Sequence, residues 1–386
     1  MLCPVPGIFS YDMKKYLLPL LATVACSAVA CGGDEPAPAP EASSVKLSVE
    51  SISFEYGGGS SSFTVETSGE WDAATSDAWL SLSKTGTASK TGSVTVTATE
   101  NTARTERTGK ITIISGRARA EVAVTQQPRP AQPVDPSIEV PEGYELVWND
   151  EFNSGSVPDP AKWRHEVQGP GWVNNELQTY VNGAYDGRRV TEIADGILSI
   201  TAFKSGNAVY SGRIYGNETQ GWKYGIFEAR LKLPKGKGTW PAFWMMPSNN
   251  DFNTTPWPLC GEIDIMEEVG YNPNYTSSSI HTSAYNHVQG TQRTAERLTA
   301  GAQDDFHVYR LVWTPEAIKT YVDGTPLLTF TNDGKGDVRT WPFNRPFYII
   351  LNLAWGGDWG GAQGVDESAL PATMQVDYVR VFQKID

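Results

Sequence analysis

Four acidic side chains fall within seven residues of the stretch 261–270, GEIDIMEEVG. Apolar and polar residues alternate at its start, which predicts a strand with one buried and one polar face. Glu262 and Asp264 would then share the polar face, where like charges repel and burial of unpaired carboxylates is costly. Folding alone gives no reason to accept that cost, whereas acid–base catalysis does. The alternative interpretation is a solvated acidic strand that faces water.

The choice of the third acid depends on the phase of this strand. Strict alternation places Glu268 on the face of Glu262 and Asp264. One extra residue at 265–266, a β-bulge, would bring Glu267 onto that face instead. Two carboxyl groups about 5–5.5 Å apart suit a retaining glycosidase, in which one attacks the anomeric carbon and the other protonates the leaving oxygen. With such a bulge, Glu262 and Glu267 would flank Asp264, which could then hydrogen-bond the nucleophile.

The hexapeptide EIDIME at 262–267 resembles the signature of glycoside hydrolase family sixteen, in the longer, bulged form typical of its laminarinase-like members. The resemblance covers roughly residues 143–384. Further segments that support it are 146–152 (LVWNDEF), 174–180 (NNELQTY), 211–213 (SGR), 240–244 (WPAFW), 256–258 (PWP), 281–282 (HT) and 376–381 (VDYVRV). It implies that Glu262 is the nucleophile, that Glu267 is the acid/base and that Asp264 holds the nucleophile in place.

The composition favours an all-β protein, because the chain has 37 Gly and 25 Pro and lacks clear helical periodicity. Short apolar runs between 144 and 383 suit two stacked antiparallel sheets, and the resemblance implies a β-jelly-roll sandwich. The net charge of −13 argues against nucleic acid or an anionic membrane surface as a partner. A neutral polysaccharide is compatible with this charge, and we expect a monomer.

The chain divides into five segments by composition. Residues 1–31 are interpreted as a leader with a lipoprotein signal peptide, because residues 28–31 (AVAC) resemble a lipobox with Cys31 as the lipidated residue. A tether (32–44), an Ig-like domain (45–128) that resembles the BACON domain, a Pro-rich linker (129–141) and the jelly-roll hydrolase domain (142–386) follow. We expect an exported outer-membrane lipoprotein at the cell surface. A plain secretory signal is the alternative.

A glycan-binding cleft should combine aromatic rings, which pack on the C–H faces of sugars, with amides, carboxylates and arginines for the hydroxyls. The resemblance implies that Trp240, Trp244 and Trp257 line the minus subsites. Further contacts are expected from Asn174, Glu176, Arg213 and Trp355, and from His281, which we place beside the acid/base. Core packing is the alternative for each of these tryptophans. For Trp71 and Trp79 of the Ig-like domain, core packing is the favoured interpretation and stacking on sugar is the alternative.

The reaction needs no metal. The resemblance nevertheless implies a structural Ca²⁺ on the convex side, held by Glu151, Asp377 and backbone carbonyls. Cys260 has no protein partner once the leader is removed, so we interpret it as apolar packing.

The predicted substrate is β-1,3-glucan of the laminarin type, cleaved by a retaining endo-glucanase. Mixed-linkage β-1,3/1,4-glucan is the nearest alternative. A hypothesis of a different class is a non-catalytic surface glycan-binding protein, which would keep the tryptophans and lose one acid. The presence of Glu262, Asp264 and Glu267 argues against it.

Overall fold

The computed structural model describes residues 44–85, 90–130 and 135–385. The predicted leader, with Cys31, lies outside the described residues. Within these ranges, no helix has both the length and the apolar character needed to cross a bilayer. The chain folds into two compact units.

The smaller unit is formed mainly by eight N-terminal strands. They are β1 (Val45–Leu47), β2 (Ser51–Phe54), β3 (Gly59–Thr67), β4 (Asp72–Ala74), β5 (Leu80–Thr85), β6 (Thr91–Ala98), β7 (Arg107–Ser115) and β8 (Ala118–Gln126). One four-stranded sheet has the order β1-β3-β6-β5 and the other β2-β8-β7-β4. Buried residues alternate along β3, β7 and β8, so these strands bury one face. Trp71 is buried, as the core-packing interpretation predicts, and Trp79 is half-buried.

The larger unit begins with ten strands: β9 (Tyr144–Asp150), β10 (Trp163–His165), β11 (Gln178–Tyr180), β12 (Ala184–Tyr185), β13 (Arg188–Arg189), β14 (Thr191–Ala194), β15 (Ile197–Ser205), β16 (Ala208–Ser211), β17 (Arg213–Gly216) and β18 (Gly225–Lys232). Nine more follow: β19 (Thr239–Pro247), β20 (Glu262–Glu267), β21 (Tyr275–His281), β22 (Arg293–Leu298), β23 (His307–Trp313), β24 (Ala317–Val322), β25 (Thr325–Thr331), β26 (Phe347–Trp355) and β27 (Ala372–Lys384). Three short helices interrupt them, at His287–Gln289, Gly357–Gly360 and Glu367–Ala369.

Two large sheets account for most of these strands. The seven-stranded sheet has the order β10-β17-β26-β19-β20-β21-β22. The ten-stranded sheet has the order β11-β16-β15-β27-β18-β23-β24-β25, with β14 paired to β15 and β9 paired to β27. The pairs β15–β27, β18–β23, β19–β26 and β20–β21 are antiparallel, whereas β11 and β16 are parallel. The prediction of an all-β protein is confirmed.

One apolar core lies between the two large sheets. Phe243 and Ile263 of the seven-stranded sheet share a continuous buried cluster with Phe227, Leu311 and Val379 of the ten-stranded sheet. The sheets therefore pack face to face as a β-jelly-roll sandwich. This packing leaves the other face of the seven-stranded sheet available for a site, and β20 lies near the middle of that sheet.

Candidate active site

The predicted bulge is present in β20. Asp264 pairs with Ser279 and Glu267 pairs with Ser277, so three steps along β20 match two along β21. The register against β19 shifts at the same place. Ser278 Oγ donates a hydrogen bond to the main-chain oxygen of Asp264 at 2.6 Å, which supports the bulged backbone from the neighbouring strand. The extra residue gives Glu267 the same face as Glu262 and Asp264.

The two faces of β20 differ sharply in polarity. Ile263, Ile265 and Met266 all belong to the core cluster. The three acids Glu262, Asp264 and Glu267 lie on the opposite face, which we call the catalytic face. Glu268 does not join them. It is fully buried, and its Oε1 accepts hydrogen bonds from Asn274 N (2.5 Å) and Gln303 Nε2 (3.0 Å).

Each outer acid of the catalytic face accepts a hydrogen bond from an indole. Trp257 Nε1 donates to Glu262 Oε2 at 2.9 Å, and Trp240 Nε1 donates to Glu267 Oε1 at 3.0 Å. An N–H donor favours the ionised carboxylate and fixes the orientation of its oxygens. The two tryptophans predicted from the sequence therefore contact the two predicted catalytic residues directly.

Burial governs the protonation of these acids. It raises the pKa of Glu262 to about 8, with the Asp264 charge adding to the effect, and it raises the pKa of Glu267 to about 7. Burial and the charge of Glu267 also raise the pKa of Asp264 well above its ordinary range. The three groups are too close and too poorly solvated to ionise together at neutral pH, so some of them hold protons there.

His281 lies at a different place from the one we predicted. It pairs in register with Glu262, and its Nε2 is 3.9 Å from Glu262 Oε1 and 3.2 Å from Asp264 Oδ2. The expectation that it stands beside the acid/base is wrong, because Glu267 lies opposite Ser277 on the antiparallel neighbour. Glu262, Asp264 and His281 offer ligand atoms within 4.8 Å of one another, close enough for a metal. An ion there would compete with substrate for the nucleophile.

A polar network extends from the catalytic strand across β19 and β26. Trp244 Nε1 donates to Asn352 Oδ1 at 2.7 Å, and Asn352 Nδ2 donates to Tyr180 OH at 3.1 Å. The Arg213 guanidinium lies 4.7 Å from the ring centre of Trp244 and 5.0 Å from that of Trp172. The three residues therefore form a cation–π stack in which the arginine is held between two indoles.

Glu176 anchors the far end of this network. It is buried and accepts hydrogen bonds from Gln178 Nε2 (2.7 Å), Tyr180 OH (3.3 Å) and Asn174 Nδ2 (3.4 Å). Burial raises its pKa, and the charge of Arg213 partly offsets that rise. Asn174 has a φ of 49°, in the left-handed region that asparagine tolerates better than most residues. The predicted residues Asn174, Glu176, Arg213 and Trp244 thus come together.

Trp355 is not part of this surface. Its side chain is almost fully buried in the core, together with those of Leu351 and Leu353. Alternation along β26 gives the catalytic face to Asn352 instead. The prediction that Trp355 contacts substrate is therefore wrong. Trp172, whose indole is exposed, was not predicted from the sequence. Its position in the glycine-rich segment 169–175 (GPGWVNN) was the signal that could have identified it.

The residues expected to hold Ca²⁺ are each paired with an arginine. Glu151 accepts from Arg380 Nε (2.9 Å) and Nη2 (2.7 Å), and Asp377 accepts from Arg230 Nη1 at 2.7 Å. A divalent cation at Glu151 would have to displace a bidentate guanidinium and then bear its repulsion. In this arrangement the two acids do not fit a cation site.

Comparison with known proteins gives matches to both parts of the chain. Residues 178–380 match the family described as glycosyl hydrolases family 16. Residues 69–127 match BACON, described as a putative binding domain. The larger match spans more than half of the chain and contains the whole of β20.

Individual relatives agree with the family match. A β-glucanase of Rhodothermus marinus is 46% identical over 250 residues, which cover 63% of this chain and 86% of that protein. The crystal structure of the laminarinase from Rhodothermus marinus superposes with a TM-score of 0.59 at 44% identity, covering 63% of this chain and 98% of that one. The structure of SCLam, a non-specific endo-β-1,3(4)-glucanase, gives a TM-score of 0.59 at 44% identity, covering 64% and 94%.

Proposed function

Because the chain belongs to glycosyl hydrolases family 16, we propose that it is a retaining endo-β-1,3-glucanase that cleaves laminarin-type β-glucan. The observation that carries this proposal is the bulge in β20, which brings Glu262 and Glu267 to one face with Asp264 between them. Two carboxyl groups with different hydrogen-bond partners and raised pKa values are what double displacement at an anomeric carbon requires.

The first step divides the protons among the three acids. Asp264, with its strongly raised pKa, keeps a proton and shares a hydrogen bond with Glu262. The reactive form has the second proton on Glu267 and the negative charge on Glu262, which the Trp257 N–H supports; because the pKa of Glu262 is raised to about 8 and that of Glu267 to about 7, this form is the minor one of the two ways to place that proton. Glu262 then attacks the anomeric carbon while Glu267 gives its proton to the departing glycosidic oxygen, which leaves a covalent glycosyl–enzyme intermediate.

The second step returns both acids to their starting states. Glu267, now ionised, takes a proton from a water molecule while the oxygen of that water attacks the anomeric carbon. The bond to Glu262 breaks, and Asp264 again donates to the released carboxylate. Two inversions give net retention of the β-configuration. His281, close to both Glu262 and Asp264, restrains the orientation of that pair.

We place the glycosyl donor on the side of β20 that carries β19, β26 and β17. This donor side holds Trp240, Trp244 and the Arg213 stack, which suit the C–H faces and hydroxyls of glucosyl units. Relatives described as a laminarinase and as a non-specific endo-β-1,3(4)-glucanase support a β-glucan substrate. Mixed-linkage glucan remains the second candidate on account of the latter.

Product analysis of the purified protein on laminarin, barley mixed-linkage glucan and agarose tests the proposal. We expect gluco-oligosaccharides with faster turnover on laminarin, and NMR of the first products should show the β-anomer before mutarotation. Faster turnover on barley glucan would move the preference to mixed linkages. Binding of laminarin without any products would favour the glycan-binding hypothesis, and an α-anomer would contradict the assigned roles of Glu262 and Glu267.

We further propose that the enzyme is a monomeric lipoprotein anchored through Cys31, with the BACON domain as a spacer or glycan binder. The proposal rests on the lipobox-like segment at 28–31. Metabolic labelling with a clickable fatty acid should mark the wild-type protein and leave Cys31→Ser unlabelled. Protease shaving of whole cells then tests whether the catalytic domain is exposed, and label on both proteins would exclude Cys31.

A further inference from the structure

The strands β21 and β22 form the other half of the catalytic face, which we call the acceptor side. Ser277 of β21 lies opposite Glu267, and Glu296 of β22 lies opposite Ser277. The three residues therefore form a row that crosses the sheet at right angles to its strands. Because neighbouring strands are about 4.8 Å apart, the Glu296 backbone is about 10 Å from that of Glu267.

The orientation of Glu296 follows from its neighbour. Ala295 packs against the main apolar core, so Glu296 has the opposite orientation and shares the exposed face with Ser277. It is exposed, and its hydrogen bond in the described part of the chain is a long one, from Asn272 Nδ2 to Oε1 at 3.4 Å. Most of the hydrogen-bonding capacity of this carboxylate is therefore available to a ligand.

The surface between Glu267 and Glu296 is low and polar. Ser277 and Ser279 are buried, and Ser279 Oγ donates to Thr294 Oγ1 at 3.0 Å. Side chains this small do not project far from the sheet. A glycan that crosses β20 and has its scissile oxygen at Glu267 must pass over this floor before it reaches Glu296.

We propose that Glu296, supported by Asn272, binds hydroxyl groups of the acceptor-side glucosyl units, those that leave with the glycosidic oxygen. This inference rests on the proposed function, since it assumes that Glu267 protonates that oxygen. A carboxylate accepts hydrogen bonds from neutral sugar hydroxyls with charge assistance and repels sulfated or uronic units. Glu296 thereby selects a neutral polymer on the acceptor side.

The test compares two substrates that differ only beyond the scissile bond. Laminarihexaose fills both sides, whereas an aryl β-laminaribioside fills the donor side and leaves a phenol in place of the acceptor sugars. For Glu296→Ala we expect kcat/KM on laminarihexaose to fall about tenfold, and for Glu296→Gln about threefold, which correspond to the loss of one charge-assisted hydrogen bond and of its charge. Activity on the aryl substrate should stay within about twofold of wild type.

A matched control uses Glu192→Gln, which removes a similarly exposed carboxylate from β14 of the ten-stranded sheet. It should leave both substrates unaffected. If wild type cleaves laminarihexaose and the Glu296 variants match it, the inference alone fails. Equal losses on both substrates also overturn it, because the effect would then reach the catalytic acids. If wild type cleaves neither substrate, the proposed function fails and this inference fails with it.

Discussion

The donor and acceptor sides of the catalytic face differ in what they offer a sugar. The donor side presents Trp240, Trp244 and an arginine stacked between indoles, and part-buried hydrogen bonds join the two tryptophans to Glu267 and Asn352. Beside Glu267 the acceptor side presents serine and threonine hydroxyls with an exposed carboxylate, Glu296, and its rings, His281 in contact with Trp257, lie at the Glu262 end. One half of the surface is rigid and aromatic, and the other is low and hydrophilic.

This difference matches the two tasks of a retaining endo-hydrolase. The donor sugar must stay in place through the covalent intermediate, so binding energy there supports both chemical steps. The acceptor sugars must leave after the first step, and strong binding would slow their exchange with water. Aromatic side chains bury 150–250 Å² each, whereas a serine hydroxyl contributes little area. The asymmetry therefore predicts where mutations will do the most damage.

The largest effect should come from the two acids at the boundary between the sides. We expect Glu262→Ala and Glu267→Ala each to lower kcat on laminarin by about 10⁴-fold or more, since each removes a group that takes part in bond making or proton transfer. Azide and an aryl β-laminaribioside separate their roles. Glu262→Ala should give the α-glycosyl azide after one displacement, and Glu267→Ala the β-azide after two.

The anomer of the azide product decides the assignment. A β-azide from Glu262→Ala would reverse the two roles. Glu268→Ala serves as the control for position, because Glu268 follows β20 directly and its carboxylate is bound to Asn274 and Gln303 instead of joining the catalytic face. Azide should not restore whatever activity that variant loses.

The second test compares the two sides directly. Trp244→Ala removes an aromatic surface, the hydrogen bond to Asn352 and one face of the Arg213 stack, so we expect kcat/KM on laminarihexaose to fall about 100-fold. Ser279→Ala removes one hydroxyl from the acceptor floor and should cost about threefold or less. Similar losses of kcat/KM for the two variants would contradict the proposed difference between the donor and acceptor sides.

The sequence predicted the catalytic strand because alternation, acid spacing and the bulged signature all point to one arrangement. It placed His281 wrongly, because the length of the turn between β20 and β21 decides which residue of β21 lies opposite Glu262, and that length is not evident from the residue pattern. It misplaced Trp355 because a tryptophan at the end of an apolar strand suits the core and the surface equally. Pattern alone does not tell which face of the sheet is covered.

Strand boundaries show the same limits. The alternation of residues 46–54 predicts one strand, whereas the structure has two strands in different sheets, β1 and β2. The segment 210–214 also suggests one strand, but it divides at Gly212 into β16 and β17, and a Cβ at Gly212 would come within 3.0 Å of the Val190 oxygen. The polar strand β22 (RTAERL) has too few apolar residues to be read as a strand, and so the acceptor side was not predicted.

The third test concerns Glu268, the neighbouring acid that belongs to neither the donor side nor the acceptor side. Burial raises the pKa of Glu268 to about 7 from its ordinary value of 4.5. The folded protein then binds more protons than the unfolded chain between these pH values, so Glu268 lowers stability as pH rises through that window. At about 1.4 kcal/mol per pH unit, the cost above pH 7 is about 3 kcal/mol.

Glu268→Gln should therefore raise the free energy of unfolding at pH 8 by up to about 3 kcal/mol and have little effect at pH 4. The glutamine oxygen can still accept from Asn274 and Gln303. Urea unfolding of wild type and variant at both pH values measures the difference. Equal destabilisation at both would mean that the hydrogen bonds matter more than the buried charge.

The smallest predicted effect concerns the pKa of Glu267, which we expect the donor side to influence and the acceptor side to leave unchanged. Its proton must be present for the first step, so kcat/KM should fall as pH rises above the range of about 7 to 8 in which the two coupled acids titrate. The Trp240 N–H favours the ionised form, and Trp240→Phe should therefore move this alkaline limb upward by about half a pH unit. Ser277→Ala, next to Glu267 on the acceptor side, contributes only a long bond to a main-chain oxygen, so the limb should stay where it is in wild type. If the limb shifts in the serine variant as much as in Trp240→Phe, both sides of the catalytic face influence the pKa of Glu267. The donor side would then bind the sugar without alone determining the protonation of the acid.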